Sequence, residues 1–456
     1  MASHLKYESA FHLGMLILCT NGTPIVDTLD HLPPLPLFVK YWYTNVTIGR
    51  QDELGTYHAL RLHNHIRRID LHLPPSVLHK SLMLMDKPFP ILEHLSLSFT
   101  DDKITTLTLP KTFLAPNLRH LALLGIGLPK RLRLLSSTIS LIVVLTNIRA
   151  SSYLRPRLLV ARLRSLPQLE ELSIGFSIPI PRPSTERELL GKQGTPVTLP
   201  HLKKLTFKGV SVYLEYLVAQ IRAHLLERLD ITLFNQIAFT LPHLSHFVNQ
   251  IKPDTAGVSF GRDAVTIIMV HTTRLHDEYF ILRVMCQQLD WQIDSAAQVF
   301  SALMALLFSV EWLTLDFDGE VMPTGWENGG IDGTTWHELL RSFTGVKELR
   351  ICDTLSGELS RALEMDDIGL DPGFLPSLEG LASESEGVDA ASLFGSFIYA
   401  RQVVGRPVRL SFQPHSPSSP SSPSLYVCPP SRSVSNTPRH TFFRTPWVFG
   451  FSLMVH

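Results

Sequence analysis

An α/β repeat solenoid is the fold class this sequence predicts, with parallel strands on one edge and helices and loops on the other. Three observations predict it. An apolar pattern of the form Leu-x-x-Leu-x-Leu returns along the chain, proline is held at one phase of that pattern, and helix-period segments fill intervals between copies.

The copies read Ile66/Ile69/Leu71, Leu92/Leu95/Leu97, Leu118/Leu121/Leu123, Leu169/Leu172/Ile174, Leu202/Leu205/Phe207, Leu226/Leu229/Ile231, Val310/Leu313/Leu315 and Val346/Leu349/Ile351. A weaker copy at Ile139/Ile142/Val144 and a fragment, Leu378-x-x-Leu381, extend the series. The last two apolar positions of each copy are two apart, so their side chains share one face of a strand. A short strand cannot bury that face alone, and stacked neighbours must share a core. Clear neighbours lie from 24 residues apart (202 to 226) to 36 apart (310 to 346). Leucine-rich repeats run about 20–29 residues, so these units are long and irregular. The gaps 118–169 and 226–310 must hold degenerate units. Candidates in the second are Val265/Ile267/Met269 and Leu282/Val284/Cys286.

Pro90, Pro116, Pro167 and Pro200 each stand two residues before the first leucine of a copy. Proline lacks the N–H that a helix needs and forces extended geometry on the residue before it, so it stops a return helix where a strand must begin. The segments 213–221 and 296–304 carry apolar residues at helical spacing and are read as return helices.

The totals bound the function. With 45% hydrophobic residues among 456, a large core is affordable. Forty-one basic residues balance 41 acidic ones, which gives no reason to expect nucleic acid or a membrane surface as an obligate partner. The four cysteines show no CxxC spacing, so neither a disulfide framework nor a zinc module is implied, and a cytoplasmic or nuclear location fits. The apolar run Phe11–Cys19 is short of the roughly 18 residues a membrane span needs. His63/His65 and His271/His276 lack metal-site spacing, and no phosphate loop occurs, so no cofactor is expected. Residues 411–456 form a tail whose Ser/Pro-rich part, 411–437, cannot bury enough apolar surface to fold and is expected to be disordered.

The blocks Phe89-Pro90-Ile91-Leu92-Glu93-His94-Leu95-Ser96-Leu97, Ala115-Pro116-Asn117-Leu118-Arg119-His120-Leu121-Ala122-Leu123 and Leu166-Pro167-Gln168-Leu169-Glu170-Glu171-Leu172-Ser173-Ile174 resemble the repeats of fungal F-box and leucine-rich-repeat proteins. The likeness spans roughly residues 36–410. It implies the substrate-recognition arm of a cullin–RING ubiquitin ligase, with ligase adaptor subunits among its partners. The chain departs from that family twice. Leu32–Phe38 resembles an F-box opening, but no paired amphipathic helices follow, so residues 1–35 are read as an F-box remnant or its replacement. The asparagine that regular repeats carry three residues after the last leucine is replaced by Thr100, Ile126, Ser177, Val210, Phe234, Asp318 and Thr354.

The leading reading is a non-catalytic module that binds a protein partner. Strand residues alternating with the buried leucines would build its concave face. Those singled out for partner binding are Lys204, Lys208, Arg228, Asp230, Trp312, Glu348 and Arg350, since Trp and Arg are frequent anchors. A basic arc lies between Asp102 and Glu170, where no acidic residue occurs, and an acidic arc between Glu311 and Asp389. Two alternatives stand beside this: a truncated, non-functional relative, or a hydrolase with its site near residues 254–290. The second draws on Gly257-Val258-Ser259-Phe260-Gly261, which matches G-x-S-x-G. That motif needs a strand, a sharp turn and a helix, whereas 265–270 reads as a strand, so the segment is taken as a turn between degenerate repeats.

Overall fold

The computed structural model describes residues 16–19, 36–42, 49–99, 107–128, 137–145, 154–177, 195–234, 239, 241–248, 252–271, 279–319, 333–364, 374–383 and 390–412. The chain divides into two units, Met1–Ser416 and Pro417–His456. The second unit, and with it nearly all of the Ser/Pro-rich tail, lies outside the described residues.

The first unit is a mixed α/β fold around one large sheet. Its strands begin with β1 (Leu16–Cys19), β2 (Leu37–Trp42), β3 (Ile66–Leu73), β4 (His94–Phe99) and β5 (Leu107–Thr108). Next come β6 (His120–Leu124), β7 (Ile126–Gly127), β8 (Ser140–Leu145), β9 (Glu171–Phe176) and β10 (Val197–Thr198). They continue as β11 (Lys204–Gly209), β12 (Ile221–Arg222), β13 (Arg228–Leu233), β14 (Thr255–Gly261) and β15 (Ala264–Val270). The last are β16 (Tyr279–Met285), β17 (Trp312–Asp318), β18 (Glu348–Ile351), β19 (Gly380–Ser383) and β20 (Arg409–Phe412).

Sixteen of these strands form the sheet, in the order β1-β2-β3-β4-β6-β8-β9-β11-β13-β16-β15-β14-β17-β18-β19-β20. The short pairs β5·β7 and β10·β12 stand apart from it. Every clear sequence copy supplies a strand at the expected phase. Leu95, Leu121, Leu172, Leu205, Leu229, Leu313 and Leu349 are all buried, and they occupy one row with Val39, Ile69 and Leu381. A second inner row holds Leu71, Leu97, Leu123, Ile174, Phe207, Ile231, Leu315 and Ile351. Each such side chain contributes roughly 1.5–3 kcal/mol through burial, and only the stacked neighbours make that burial complete.

The prolines do not end helices as the sequence suggested: the short strands β5 and β10 precede Pro116 and Pro200, and the helices before Pro90 and Pro167 already stop at Met83 and Leu163. Each proline sits second in a four-residue turn closed by the N–H of the first repeat leucine. Leu92 donates to Phe89 O, Leu118 to Ala115 O, Leu169 to Leu166 O and Leu202 to Leu199 O. Proline's fixed φ suits that second position. A fifth copy, Leu378 to Leu375 O across Pro376, opens the unit of β19, which the fragment at Leu378 anticipated.

The sheet corrects the sequence reading at four places. The weak copy is out of phase: Leu121 pairs with Leu141 and Leu123 with Val143, so Leu141 and Val143 are buried while Ile142 and Val144 face out. Residues 141–145 are apolar throughout, and alternation then carries no phase. The degenerate units of the second gap are not further parallel repeats. β14, β15 and β16 form an antiparallel meander set into the sheet in reversed order, with β16 beside β13 and β14 beside β17. An odd number of meander strands leaves both flanks parallel to their neighbours. Val265, Ile267, Met269, Leu282, Val284 and Cys286 are buried there, as their alternation implied. Third, the glycine-bounded segment 257–261 is strand, not turn: Ala256, Val258 and Phe260 alternate into the core. Finally, the sheet begins before residue 36, because Leu16–Cys19 pairs in parallel with β2.

Helices on the buried side are α1 (Arg50–Arg61), α2 (Pro75–Met83), α3 (Pro156–Leu163), α4 (Ser211–Gln220) and α5 (Pro242–Val248), then α6 (Leu289–Ala302), α7 (Met304–Leu307), α8 (Gly333–Arg341), α9 (Asp353–Leu363) and α10 (Ala390–Val403). The two predicted return helices are α4 and α6. Proline begins α2, α3 and α5, where its missing N–H is harmless. The Glu215 carboxylate on α4 accepts the N–H groups of His243 and Leu244 and so caps α5. Where regular repeats carry asparagine, Ile126, Val210 and Phe234 are buried, so apolar contact stands in for a hydrogen-bond ladder there.

Candidate functional site

With one face of the sheet consumed by the core, the other displays the alternate side chains in register. Parallel pairing stacks them into rows with neighbours about 4.8 Å apart. The first row runs Arg68, His94, His120, Ser140, Glu171, Lys204, Arg228, Tyr279. The second runs Asp70, Ser96, Ala122, Ile142, Ser173, Thr206, Asp230, Ile281. A third includes His72, Ser98, Lys208, Thr232, Arg283, Thr266, Ser259 and Asp316.

Of the residues singled out by sequence, Lys204, Lys208, Arg228 and Asp230 come together on adjacent strands β11 and β13, with Lys204 directly beside Arg228. Trp312, Glu348 and Arg350 form a second group on β17 and β18, where Trp312 pairs with Glu348 and Thr314 with Arg350. β16, β15 and β14 separate the groups, a distance of four strand steps, or about 19 Å. The Glu348 carboxylate lies 3.8 Å from Arg409 Nη2 on the far side of β19. Trp312 is 38% exposed, which leaves its ring available as an anchor.

Sequence reasoning missed Arg283, Tyr279 and Arg68. Arg283 completes the cationic group, with its Nε donating to Thr266 Oγ1 at 3.2 Å. Arg228 lies over the Tyr279 ring at 5.4 Å and Arg68 over Phe38 at 4.6 Å. The signal for Arg283 was present: once Leu282 and Val284 are inward, the residue between them faces out. The basic arc is not the source of the cationic group. Between residues 107 and 164 the described open-face positions of β6 and β8 are His120, Ala122, Leu124, Ser140, Ile142 and Val144. Its described cations sit elsewhere: Lys111 after β5, Arg119 just before β6, Arg157 and Arg162 on α3, and Arg155 and Arg164 at the ends of α3. The acidic arc does reach the face, through Asp316 and Asp318 at the exposed end of β17.

Burial sets the electrostatics. His94, beside His120 at 5.6 Å between ring centroids, is pushed down to about 4, first by burial and then by Arg68 and His120. Burial also raises Asp230 above the usual carboxylate range against the pull of Arg283 and Lys204, and lowers Lys208, with Arg283 adding to the effect. Below pH 6.5 an unfolded chain takes up a proton at His94 that the native chain refuses until about pH 4. Native stability should therefore fall as pH drops through that window. His94→Phe is expected to flatten the fall, read from urea midpoints across pH 4–7; parallel curves for the two chains would sink this assignment.

The rim residue just before each strand carries its own charge pattern. At three places charges of opposite sign on adjacent units pair there: Arg67 with Glu93 at 3.0 Å, Lys203 with Glu170 at 3.0 Å and Lys347 with Glu311 at 2.8 Å.

Ser259 lies within β14, with Thr266 and Asp316 as strand neighbours, and β15 follows, so the strand–turn–helix geometry of a nucleophile elbow is not formed. Among the described residues no group of three or more His, Cys, Asp or Glu side chains could hold a metal ion, and no helix is long and apolar enough to cross a membrane. Cys286 and Cys352 are buried free thiols.

Fold and face together define a class: stacked leucine-rich α/β units presenting a polar, charged sheet face. No known family profile matches the chain, and no curated protein matches it. Among solved structures, the crystal structure of a TLR13–ssRNA13 complex is similar over 77% of this chain and 46% of that chain, at 13% identity and a TM-score of 0.29. The chain thus spans less than half the length of that protein. A likeness at this level decides neither fold nor function, and the repeat architecture rests on the register above.

Proposed function

We propose that this chain is a non-catalytic protein-recognition module and that the open face of its sheet is the binding surface. The observation that carries the reading is the division of labour across the sheet. Inner positions are committed to the core, while outer positions present Lys204, Arg228, Asp230, Arg350 and the exposed Trp312 in fixed register. Strand-mounted side chains of this kind bind with little ordering cost.

Affinity capture with the intact chain tests this. Proteins retained by wild type and by Arg157→Glu on α3 are expected to be lost from Trp312→Ala/Arg350→Glu or from Lys204→Glu/Arg228→Glu. A captured set indifferent to both open-face variants would refute the reading. A finer version, recruitment of substrates to a cullin–RING ubiquitin ligase, is supported by the repeat blocks around Pro90, Pro116 and Pro167. It requires ligase adaptor subunits to co-purify with the chain, and their absence from the captured set would remove it.

A further inference from the structure

At three places on the rim, charges stacked about 4.8 Å apart are of opposite sign and pair. One residue further along, the open face does the reverse. Lys204 sits directly beside Arg228, and like charges directly opposite each other in a sheet cost stability. Four residues along the same strands lies a second cationic row, Lys208 and Arg283, with Thr232 between them. The rows are about 13 Å apart. Between them stands Asp230, and Glu171 flanks Lys204, its carboxylate accepting from Ser140 Oγ. Four cations therefore meet two carboxylates on four adjacent strands. Lys208 is half-buried, so water screens its charge less than it would that of a lysine on the surface.

Resting on the reading of the open face given above, we infer that this cluster seats an acidic, extended segment of a partner protein whose carboxylates reach both cationic rows. Charge complementarity selects the occupant. The 13 Å between the rows matches four residues of extended chain, so acidic side chains at that interval meet Lys204 and Arg228 at one end and Lys208 and Arg283 at the other. Asp230 is then a resident competitor for the same cations.

The probe is a fluorescein-labelled peptide of alternating Glu and Ser, followed by anisotropy at low salt. A Lys/Ser peptide and an oligothymidylate of equal charge serve as comparisons. The Glu/Ser peptide should bind saturably, while the Lys/Ser peptide should not. Lys204→Gln/Arg228→Gln and Lys208→Gln/Arg283→Gln should each weaken binding about tenfold or more. Asp230→Asn should tighten it several-fold. Relief of the like-charge pair should leave Lys204→Gln/Arg228→Gln at least as thermally stable as wild type, which separates lost binding from lost folding. Absent saturable binding, indifference to either Gln pair, weaker binding by Asp230→Asn, or tighter binding of the oligothymidylate would each overturn the inference. Should capture depend on the open face while the Glu/Ser peptide fails to bind, this inference falls and the reading it rests on stands.

Discussion

Phe207→Ala is expected to destabilise the fold by about 3–5 kcal/mol, while Thr206→Ala next to it changes stability by less than about 0.5 kcal/mol. Phe207 is fully buried in the second inner row of β11. Its ring stacks on Tyr213 of α4 at 5.7 Å and meets Phe176 of β9 edge-on at 6.4 Å. Tyr213 is itself pinned, with its hydroxyl donating to Leu154 O at 2.9 Å. The three rings join strands of two units to a return helix, and β11 is held by ladders on both sides. The space left by the ring cannot close without breaking those ladders, so the cavity persists and its cost adds to the lost burial. Thr206 faces the other way and loses only a partly exposed methyl and hydroxyl. Urea unfolding of the two variants decides the matter. Similar, small shifts at both positions would mean that the inner and outer faces of β11 are wrongly assigned. Leu205→Ala, in the first inner row, belongs with Phe207 and should cost about 2–5 kcal/mol.

The same two-faced periodicity explains what the sequence could and could not disclose. Where polar residues alternate with leucine, as in His94-Leu95-Ser96-Leu97, both phase and facing are legible, and the structure places them accordingly. At residues 141–145 every position is apolar, so phase is decided by the register with β6 and β9, which no local pattern records. The meander of β14 to β16 has ordinary strand alternation; its reversed order in the sheet is a property of connections across the 226–310 gap. The candidate site divides likewise. Lys204, Lys208, Arg228 and Asp230 were visible because their strands carry the full repeat. For Arg283 the alternation showed only that it faces out, and nothing local says that it lies beside β13.

A backbone contact between units gives the second large effect. Gly345 lies in the turn that leads into β18, and a Cβ there would stand 2.5 Å from Phe308 O and 3.2 Å from Val310 O. Both obstacles are main-chain atoms of the turn before β17, so no rotamer change relieves the clash. That turn is itself fixed, with Val310 N–H donating to Leu307 O at 3.1 Å and Glu311 N–H to Asp254 O at 2.8 Å. Gly345→Ala must therefore push two stacked units apart at their closest approach, and a loss of about 1–3 kcal/mol or more is expected. Gly357 supplies the opposite sign. It is exposed inside α9, and a Cβ there meets nothing within 4 Å. Gly357→Ala should stabilise by about 0.5–1 kcal/mol, because alanine gives up less backbone freedom in a helix. Thermal melts of the two variants should move in opposite directions. A Gly345→Ala chain that melts with wild type would show that consecutive units are not packed backbone to backbone at this turn, and the stacking of β17 on β18 would need to be redrawn.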